Sequence, residues 1–217
     1  MTPNHVNITY PSVEIVSKTT YKDLLTLIES AGRVCYKSED KIKEGSAEEF
    51  IKGILKRGHE AVLEHGNITA KVICDRGVTH EIVRHRLAAY CQESTRYCNY
   101  SKEKFDKSIT VIEPSFLNGV PTKDPRYLAW LTTMTAAQDG YFELLEQGCT
   151  PQEARSVLPN SLKTEIFMTM DIREWRHFFK LRTAKAAHPD MRVVAIMLLE
   201  KFKEEYPLFF SDIEVEE

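Results

Sequence analysis

Two arginines flank a histidine near the middle of the chain, and a serine follows after seven further residues. These are Arg84, His85 and Arg86, followed by Ser94. Arginine holds phosphate and carboxylate groups through paired hydrogen bonds, so this spacing favours an anionic ligand. If the helix predicted from Arg76 continues through this segment, the two arginines lie about 200° apart around its axis. The sequence then predicts an anionic partner on each side of the helix end, although two solvated arginines would fit the same pattern.

A further arginine, Arg182, falls on the apolar face of a predicted helix. Trp175 precedes it by seven residues and Phe178 by four, so the three side chains share one face. A buried, unpaired cation is costly, so Arg182 must reach solvent, pair with a carboxylate or contact an anionic ligand. On the other side of this helix, Arg173 and His177 are predicted to form a second polar pair.

A short junction between two predicted elements carries two histidines and two carboxylates: His59, Glu60, Glu64 and His65. Such a group would suit a metal-dependent nucleotide hydrolase. Turn formation and hydrogen bonding are the ordinary roles of these residue types, and the sequence shows no third cluster of ligands. We therefore predict no metal site.

Length and composition limit the classes of function. The chain has 217 residues, a net charge of −3 and five cysteines without a Cys-x-x-Cys pair. We expect one catalytic domain, residues 1–217, with a frayed acidic tail at 211–217. The charge argues against nucleic-acid binding, and the cysteines argue against a disulfide framework or a zinc site. With no apolar run near ~18 residues and no signal peptide pattern, we expect a cytoplasmic protein that does not bind membranes.

Helix caps and hydrophobic periodicity predict the elements that must position these residues. Strands are predicted at 13–18, 67–74, 108–113 and 161–171, and helices at 20–34, 46–58, 76–87, 125–147, 151–158, 172–185 and 189–206. Capping boxes are expected at Ser46 and Thr150, and single caps at Asp75, Asp124 and Asp171.

The pattern Arg84-His85-Arg86, seven residues, Ser94, then Arg96-Tyr97, resembles the signature of the flavin-dependent thymidylate synthases. The resemblance extends over residues 13–206. It implies homotetramers with flavin sites between subunits. It also implies conversion of dUMP to dTMP, with methylenetetrahydrofolate as carbon donor and FAD, reduced by NADPH, as hydride donor. We expect an α+β fold with a twisted, mainly antiparallel sheet packed with long helices.

The resemblance also implies roles for individual residues. FAD contacts are implied for His59, Arg84, His85, Arg86, Gln92, Asp171, Arg173 and His177. Contacts with dUMP are implied for Glu81, Arg84, Gln92, Glu93, Ser94, Thr95, Arg96, Arg155 and Arg182. Arg182 matches the arginine that favours ionisation of the uracil N3, because a fixed cation in a dry pocket stabilises a developing anion.

Several residues depart from the family pattern. They are Glu81 where Gln is common, Gln92 where Glu is common, Asp171 and His177 where Asn is common, Ala61 where Ser or Thr is usual, and Ala186 where some members carry a folate-side histidine. No cysteine lies in a Pro-Cys-His context, so no cysteine nucleophile is expected. The chain also lacks a Gly-x-Gly-x-x-Gly motif, so a bound flavin is not held by a Rossmann loop. The alternative from another class is a non-catalytic nucleotide- or RNA-binding module, which the dispersed arginines and negative charge disfavour.

Overall fold

The computed structural model describes residues 5–216, and within this range it has six strands and eight α-helices. The strands are β1 (Asn7–Thr9), β2 (Ser12–Ile15), β3 (Asn67–Asp75), β4 (Ala88–Gln92), β5 (Thr110–Ile112) and β6 (Lys163–Asp171). The helices are α1 (Tyr21–Tyr36), α2 (Ser46–Lys56), α3 (Arg76–Ile82), α4 (Pro125–Glu146), α5 (Pro151–Ala154), α6 (Ile172–Arg182), α7 (Pro189–Glu205) and α8 (Pro207–Phe210). Short 3-10 helices lie between several of them, including Glu60–His65 and Arg155–Val157.

The strands form a four-stranded sheet in the order β2-β3-β6-β4 and a two-stranded sheet of β1 and β5. β3 and β6 run antiparallel, since Arg76 N donates to Asn160 O at 2.9 Å and Ile172 N donates to Gly66 O at 2.8 Å. The α+β fold with a mainly antiparallel sheet is confirmed. Strand β1 was not predicted, and it pairs with β5 in parallel.

The chain forms two compact units. The first comprises residues 5–12, Val72–Ile82 and Cys91–Ile166, and its buried apolar residues include Tyr100, Ile109, Val111, Met134, Tyr141 and Leu162. The second comprises Val13–Lys71, Val83–Tyr90 and residues 167–216, and its core is aromatic, with Trp175, Phe178, Phe179, Phe202, Phe209 and Phe210 all fully buried. Among the described residues, no helix is both long and apolar enough to cross a membrane.

Many of the predicted caps are confirmed. Asp124 accepts from Arg126 N with Pro125 in the first helical position, and Thr150 forms its capping box. Asp75 accepts from Val78 N at 2.7 Å, and Asp171 caps α6. These side chains satisfy amide groups that have no partner inside the helix, which is why their positions could be read from the sequence.

The prediction that a helix runs from 76 to 87 is wrong in its second half. Helix α3 ends at Ile82, and the chain becomes a strand at Ala88. Residues 88–92 alternate between half-buried and exposed, as a strand does. Just after this strand, Glu93 N donates to Glu165 O at 2.8 Å. Sheet pairing therefore replaces helical hydrogen bonds here. Arg84 and Arg86 lie in a connecting loop, so the helical angle between them does not apply.

The capping box predicted at Ser46 is also wrong. Gly45, with φ +78°, occupies the N-cap position, and Ser46 is the first residue of α2. The Ser46 hydroxyl instead donates to the buried Glu29 carboxylate at 2.8 Å. A buried carboxylate needs donors, and Arg33 supplies a second at 2.9 Å, so the tertiary contact outweighs the local cap.

The acidic tail is anchored through residue 213 and is not frayed there. Asp212 accepts from Arg176 through both carboxylate oxygens at 2.7 Å, and Phe209 O accepts a further hydrogen bond from Arg176. Ile213 is buried. A buried arginine with a carboxylate partner and an adjacent apolar contact holds the segment in place, a tertiary effect that local composition does not predict.

Candidate active site

The loop that carries the arginine pair belongs to the second unit. Arg84 and Arg86 are exposed, and within residues 5–216 neither makes a side-chain hydrogen bond or ion pair. His85, between them, is only 4% exposed. The loop thus presents two cations outward and inserts one imidazole into the protein.

The buried imidazole is hydrogen-bonded at both ring nitrogens. His85 Nδ1 lies 2.9 Å from Glu174 Oε1, and Arg182 Nε donates to His85 Nε2 at 3.1 Å. The Tyr90 hydroxyl donates to the backbone carbonyl of His85 at 2.7 Å. Phe178 packs edge-on against the ring, with centroids 4.9 Å apart. Arg182 therefore has the His85 imidazole as a partner on the apolar face of α6.

Burial lowers the pKa of His85 below its ordinary 6.5, with the nearby Arg182 charge adding to the effect and the Glu174 hydrogen bond opposing it. The imidazole is therefore neutral at pH 7. In the unfolded chain the same group takes up a proton near pH 6.5, so the unfolded state binds more protons in mildly acidic solution.

We therefore expect the free energy of unfolding to fall as pH drops below about 6.5, and His85 to contribute part of that slope. The measurement is urea unfolding between about pH 5 and about pH 8 for the parent and for His85→Gln. His80→Gln, at an exposed position of α3, is the control and should keep the parent slope. Equal slopes in the parent and His85→Gln would contradict the assignment.

Two cavities lie in the second unit beside α6. One, about 470 Å³, is lined by Glu60, Glu64, Leu87, Asp171, Arg173, Glu174, Arg176, His177 and Lys180. The other, about 410 Å³, is lined by Gly32, Cys35, Tyr36, Ile54, Gly58, His59, Glu60, Ala61, Val62 and Arg173. Glu60 and Arg173 line both cavities.

The side chains of these cavities have their own partners. Arg173 pairs with Glu64 at 2.5 Å, so the predicted Arg173–His177 pair is not the contact that forms. His59 Nδ1 lies 3.2 Å from the Tyr36 hydroxyl. Asp171 accepts from Glu174 N at 2.8 Å. Opposite charge attracts Arg173 to Glu64 more strongly than to a histidine, a contact 109 residues apart that helical spacing does not reveal.

One group in the described part of the chain has the spacing of a metal site: His85, Glu174 and His177, whose candidate ligand atoms lie within 4.8 Å of one another. The bond from Arg182 opposes an ion there. Guanidinium has no lone pair to accept with, so it must donate to His85 Nε2. An ion on Nδ1 would then require a fully deprotonated imidazole. Within residues 5–216, His59, Glu60, Glu64 and His65 do not come together as a group with this spacing.

A second cluster of predicted residues lies in the first unit. Arg155 Nη1 donates to Thr95 Oγ1 at 3.1 Å, and Thr95 is buried. Arg96 N donates to Ser94 Oγ at 3.3 Å. Ser94 O accepts from the backbone of Cys98 at 2.9 Å, which makes the segment a tight turn. Serine, threonine and arginine donors in such a turn suit a phosphate group.

Glu93 is the centre of a charged network beside this turn. Its carboxylate lies 3.4 Å from Lys163 Nζ and accepts from the Tyr100 hydroxyl at 3.1 Å. Lys163 also pairs with Glu165 at 2.5 Å. Burial, reinforced by the Glu93 charge, raises the pKa of Tyr100 well above its usual value, so the hydroxyl stays a donor.

Gln92 is occupied by internal contacts. Its Nε2 donates to Thr79 Oγ1 at 3.1 Å and to Thr164 Oγ1 at 3.2 Å. Thr79 in turn donates to Arg76 O at 2.7 Å. Glu81, on the same helix as Thr79, is half-buried. The amide nitrogen of Gln92 thus supports β4 from within the first unit.

Sequence reasoning missed Glu174, Tyr90, Tyr100 and Lys163. A signal existed for Glu174, because it precedes Phe178 by four residues and Arg182 by eight and so belongs to the same helical stripe. A carboxylate on an apolar face with an arginine should have marked a buried polar network. The two tyrosines and Lys163 carry no comparable signal, since their partners are set by tertiary contacts.

Comparison with known proteins gives the family. Residues 14–208 match the family model described as "Thymidylate synthase complementing protein". The "Flavin-dependent thymidylate synthase" of Geobacter sulfurreducens is 32% identical over 189 residues, covering 84% of this chain and 78% of that protein. The protein of the same name from Pyrococcus furiosus is 34% identical over 176 residues, covering 81% and 70%. The chain belongs to the flavin-dependent thymidylate synthase family.

A solved structure has the same fold as this family member. The UMP/dUMP methylase PolB from Streptomyces cacaoi, bound with 5-Br dUMP, superposes with a TM-score of 0.74 at 23% identity, covering 95% of this chain and 96% of that one. The structure of PolB with 5-Br UMP gives a TM-score of 0.75 at 21% identity. At these identities the likeness establishes the fold.

The residues of the second unit fit the flavin that the family name implies. Arg84 and Arg86 are exposed cations without a partner among the described residues, as a pyrophosphate requires. The carboxylates Glu60, Glu64 and Asp171 line the cavity of about 470 Å³ and can accept hydrogen bonds from hydroxyl and amine donors. A dinucleotide offers both kinds of group, so this donor and acceptor set suits FAD.

Proposed function

We propose that this protein converts dUMP to dTMP. Methylenetetrahydrofolate supplies the carbon, and FAD, reduced by NADPH, supplies the hydride. The observation that carries this proposal is the loop at Arg84 and Arg86, where two unpartnered cations flank a buried histidine in a chain that belongs to the flavin-dependent thymidylate synthase family. When bound, reduced FAD would supply the hydride that the chain's own side chains cannot.

The two clusters have different proposed tasks. Flavin binding is assigned to His59, Arg84, Arg86, Asp171, Arg173 and His177. The dUMP phosphate and sugar are assigned to Glu93, Ser94, Thr95, Arg96 and Arg155, with Glu81 and Arg84 as further contacts. The bond between Arg155 and Thr95 supports the second assignment, because it aims a guanidinium at the turn of Ser94. Gln92 is given a supporting role, since its amide nitrogen already has two partners.

Arg182 is the proposed catalytic residue. It is 8% exposed, and its Nε is bonded to His85. A cation fixed in an environment with little water stabilises an anion more than a solvated cation does. We propose that Arg182 faces the uracil ring and favours the ionised form of N3, whose negative charge spreads through the C4 carbonyl and makes C5, the ring carbon that receives the methyl group, more nucleophilic.

No side chain is proposed as a nucleophile. Ser94 Oγ accepts from Arg96 N, and no described histidine or carboxylate bonds to it. Burial raises the pKa of the Cys74 thiol far above its usual value, and burial also raises the pKa of Cys98. Unactivated hydroxyls and protonated thiols are weak nucleophiles, which supports direct methylene and hydride transfer to dUMP.

The family resemblance also carries a proposal about assembly and location. We propose a homotetramer with each flavin bound between subunits, in the cytoplasm. The outward position of Arg84 and Arg86 supports this, because exposed cations of one subunit can reach a ligand held by another. Sedimentation at several protein concentrations measures the assembly directly.

The decisive test of the function is the purified protein itself. We expect a yellow protein with flavin absorbance that forms dTMP from dUMP when methylenetetrahydrofolate and NADPH are supplied. Mass spectrometry during turnover should show no nucleotide attached to Ser94 or to any cysteine. A colourless protein that binds RNA, or one that hydrolyses nucleotides with a divalent metal, would contradict the proposal.

Replacing Arg86 with alanine is expected to weaken FAD binding about 10- to 100-fold, since one charge-assisted hydrogen bond contributes about 1.5–3 kcal/mol. The measurement is a fluorescence titration of flavin-free protein. Arg57→Ala removes another exposed arginine and is the matched control. Unchanged FAD affinity in Arg86→Ala would remove Arg86 from the flavin site.

A further inference from the structure

Three buried polar residues, each at most 8% exposed, form a continuous hydrogen-bonded chain in the second unit. Glu174 Oε1 lies 2.9 Å from His85 Nδ1, and His85 Nε2 lies 3.1 Å from Arg182 Nε. Glu174 and Arg182 are on the same face of α6, two helical turns apart, and His85 enters between them from the Arg84–Arg86 loop.

The direction of each bond in this chain is fixed by chemistry. Arg182 is a permanent donor, so His85 Nε2 must accept and carries no proton. A neutral imidazole then carries its proton on Nδ1, which donates to the Glu174 carboxylate. The backbone of the same histidine is held by the Tyr90 hydroxyl.

This arrangement restricts what His85 can do. Its Nε2 lone pair is already used, so the ring cannot act as a general base while Arg182 remains bound to it. Both polar atoms of the ring face protein partners, and Phe178 and His177 lie against it at centroid distances of 4.9 and 5.6 Å. The ring therefore offers no polar atom for a direct contact with FAD, the role that the family resemblance implied.

We propose that Glu174 and His85 are positioning residues for Arg182: the carboxylate gives the buried Nδ1 proton an acceptor and so stabilises the tautomer that accepts from Arg182, and the imidazole holds the plane of the guanidinium. The catalytic part of this inference rests on the proposed function of Arg182 toward dUMP. A guanidinium stabilises a planar ligand most when its own plane is fixed in advance. The hydrogen bonds from Glu174 through His85 therefore lower the free-energy cost of aligning Arg182 during the reaction.

The carboxylate is the member of the chain to change, because the proposed function gives it no contact with dUMP. Glu174→Gln keeps an oxygen that accepts from Nδ1, whereas Glu174→Leu keeps the bulk and removes the acceptor. Glu200→Leu, at an exposed position of α7, is the control for adding leucine to the second unit. All four proteins are compared by urea unfolding, so that only folded protein is assayed.

The first readout is the tautomer of His85, measured by nitrogen NMR on histidine-labelled protein and assigned with His85→Gln. The parent, Glu174→Gln and Glu200→Leu should show the proton on Nδ1. In Glu174→Leu this preference should weaken, because a proton on Nδ1 would be buried without an acceptor. The second readout is turnover. At saturating FAD, Glu174→Leu should lower kcat about 10- to 100-fold, with a smaller change in the KM for dUMP, and Glu174→Gln should recover most of the rate.

Two outcomes overturn the inference. One is Glu174→Leu with the parent tautomer and a kcat within about threefold of the parent. The other is an equal loss of rate in Glu174→Gln and Glu174→Leu with the tautomer unchanged, which indicates a purely structural carboxylate. A parent protein that forms no dTMP contradicts the proposed function instead, and the tautomer comparison then still decides whether Glu174 orders His85 against Arg182.

Discussion

Arg182→Ala is expected to lower the rate of dTMP formation about 100- to 1,000-fold, the usual effect of removing one fixed donor from a developing anion. FAD affinity should change little, because Arg182 lines neither of the two cavities beside α6. Arg182→Lys keeps the charge but loses the planar arrangement of donors, so an intermediate loss is expected.

The measurement is a single turnover of enzyme reduced beforehand, mixed with saturating dUMP and methylenetetrahydrofolate, alongside a flavin titration. Lys185→Ala removes an exposed cation close by in the sequence and should react at the parent rate. Unfolding curves for each variant separate a catalytic loss from a folding defect. If Arg182→Ala forms dTMP at the parent rate, Arg182 is a structural residue only.

Trp175→Ala is expected to have the largest effect on stability. The indole is fully buried, packs against Phe178, Phe179 and Phe202, and donates to the backbone oxygen of Ile68 at 2.9 Å. Truncating a buried aromatic costs about 3–5 kcal/mol, and a buried carbonyl without a donor adds about 1–3 kcal/mol. A combined loss of roughly 4–8 kcal/mol would leave most domains of this size barely folded.

Urea unfolding of Trp175→Ala and Trp175→Phe measures this effect. Phenylalanine keeps most of the ring volume and loses the hydrogen bond, so its expected cost is about 1.5–3 kcal/mol. Phe167→Ala removes a ring that is 42% exposed and should cost less than about 1 kcal/mol. Equal losses in Trp175→Phe and Trp175→Ala would mean that the hydrogen bond, and not packing, stabilises this part of the core.

The contrast between α6 and the Arg84 loop shows how much of the fold the sequence could predict. Asp171 caps α6 through a contact within the first turn, and the apolar residues before Arg182 repeat at the helical period. Both signals are local. The predicted end of α6 was therefore only three residues too far along the chain. The segment after Ile82 has no cap or breaker. The helix ends there because β4 pairs in the sheet and because His85 forms a hydrogen bond with Glu174, 89 positions away in the chain.

The same distinction applies to the candidate site. Residue type and spacing identified Arg84, Arg86 and Arg182 as cations that need partners. They could not show that Arg182 meets an imidazole, because that contact joins positions 97 apart in the chain. Single residues were therefore predictable, whereas the hydrogen-bonded chain of Glu174, His85 and Arg182 was not.

The hydrogen bonds at Thr79 also make two positions of the first unit, 79 and 92, depend on one another during sequence change. The hydroxyl gives its proton to Arg76 O, so only lone pairs face Gln92, and an amide nitrogen fits there. A glutamate at position 92 would place its carboxylate lone pairs against those of the Thr79 hydroxyl. This clash is avoided only if the Thr79 hydroxyl stops donating to Arg76 O or if a donor side chain replaces Thr79. The order of the two substitutions therefore matters. If position 79 changes first, glutamate at 92 is tolerated, whereas if position 92 changes first, the single variant is destabilised.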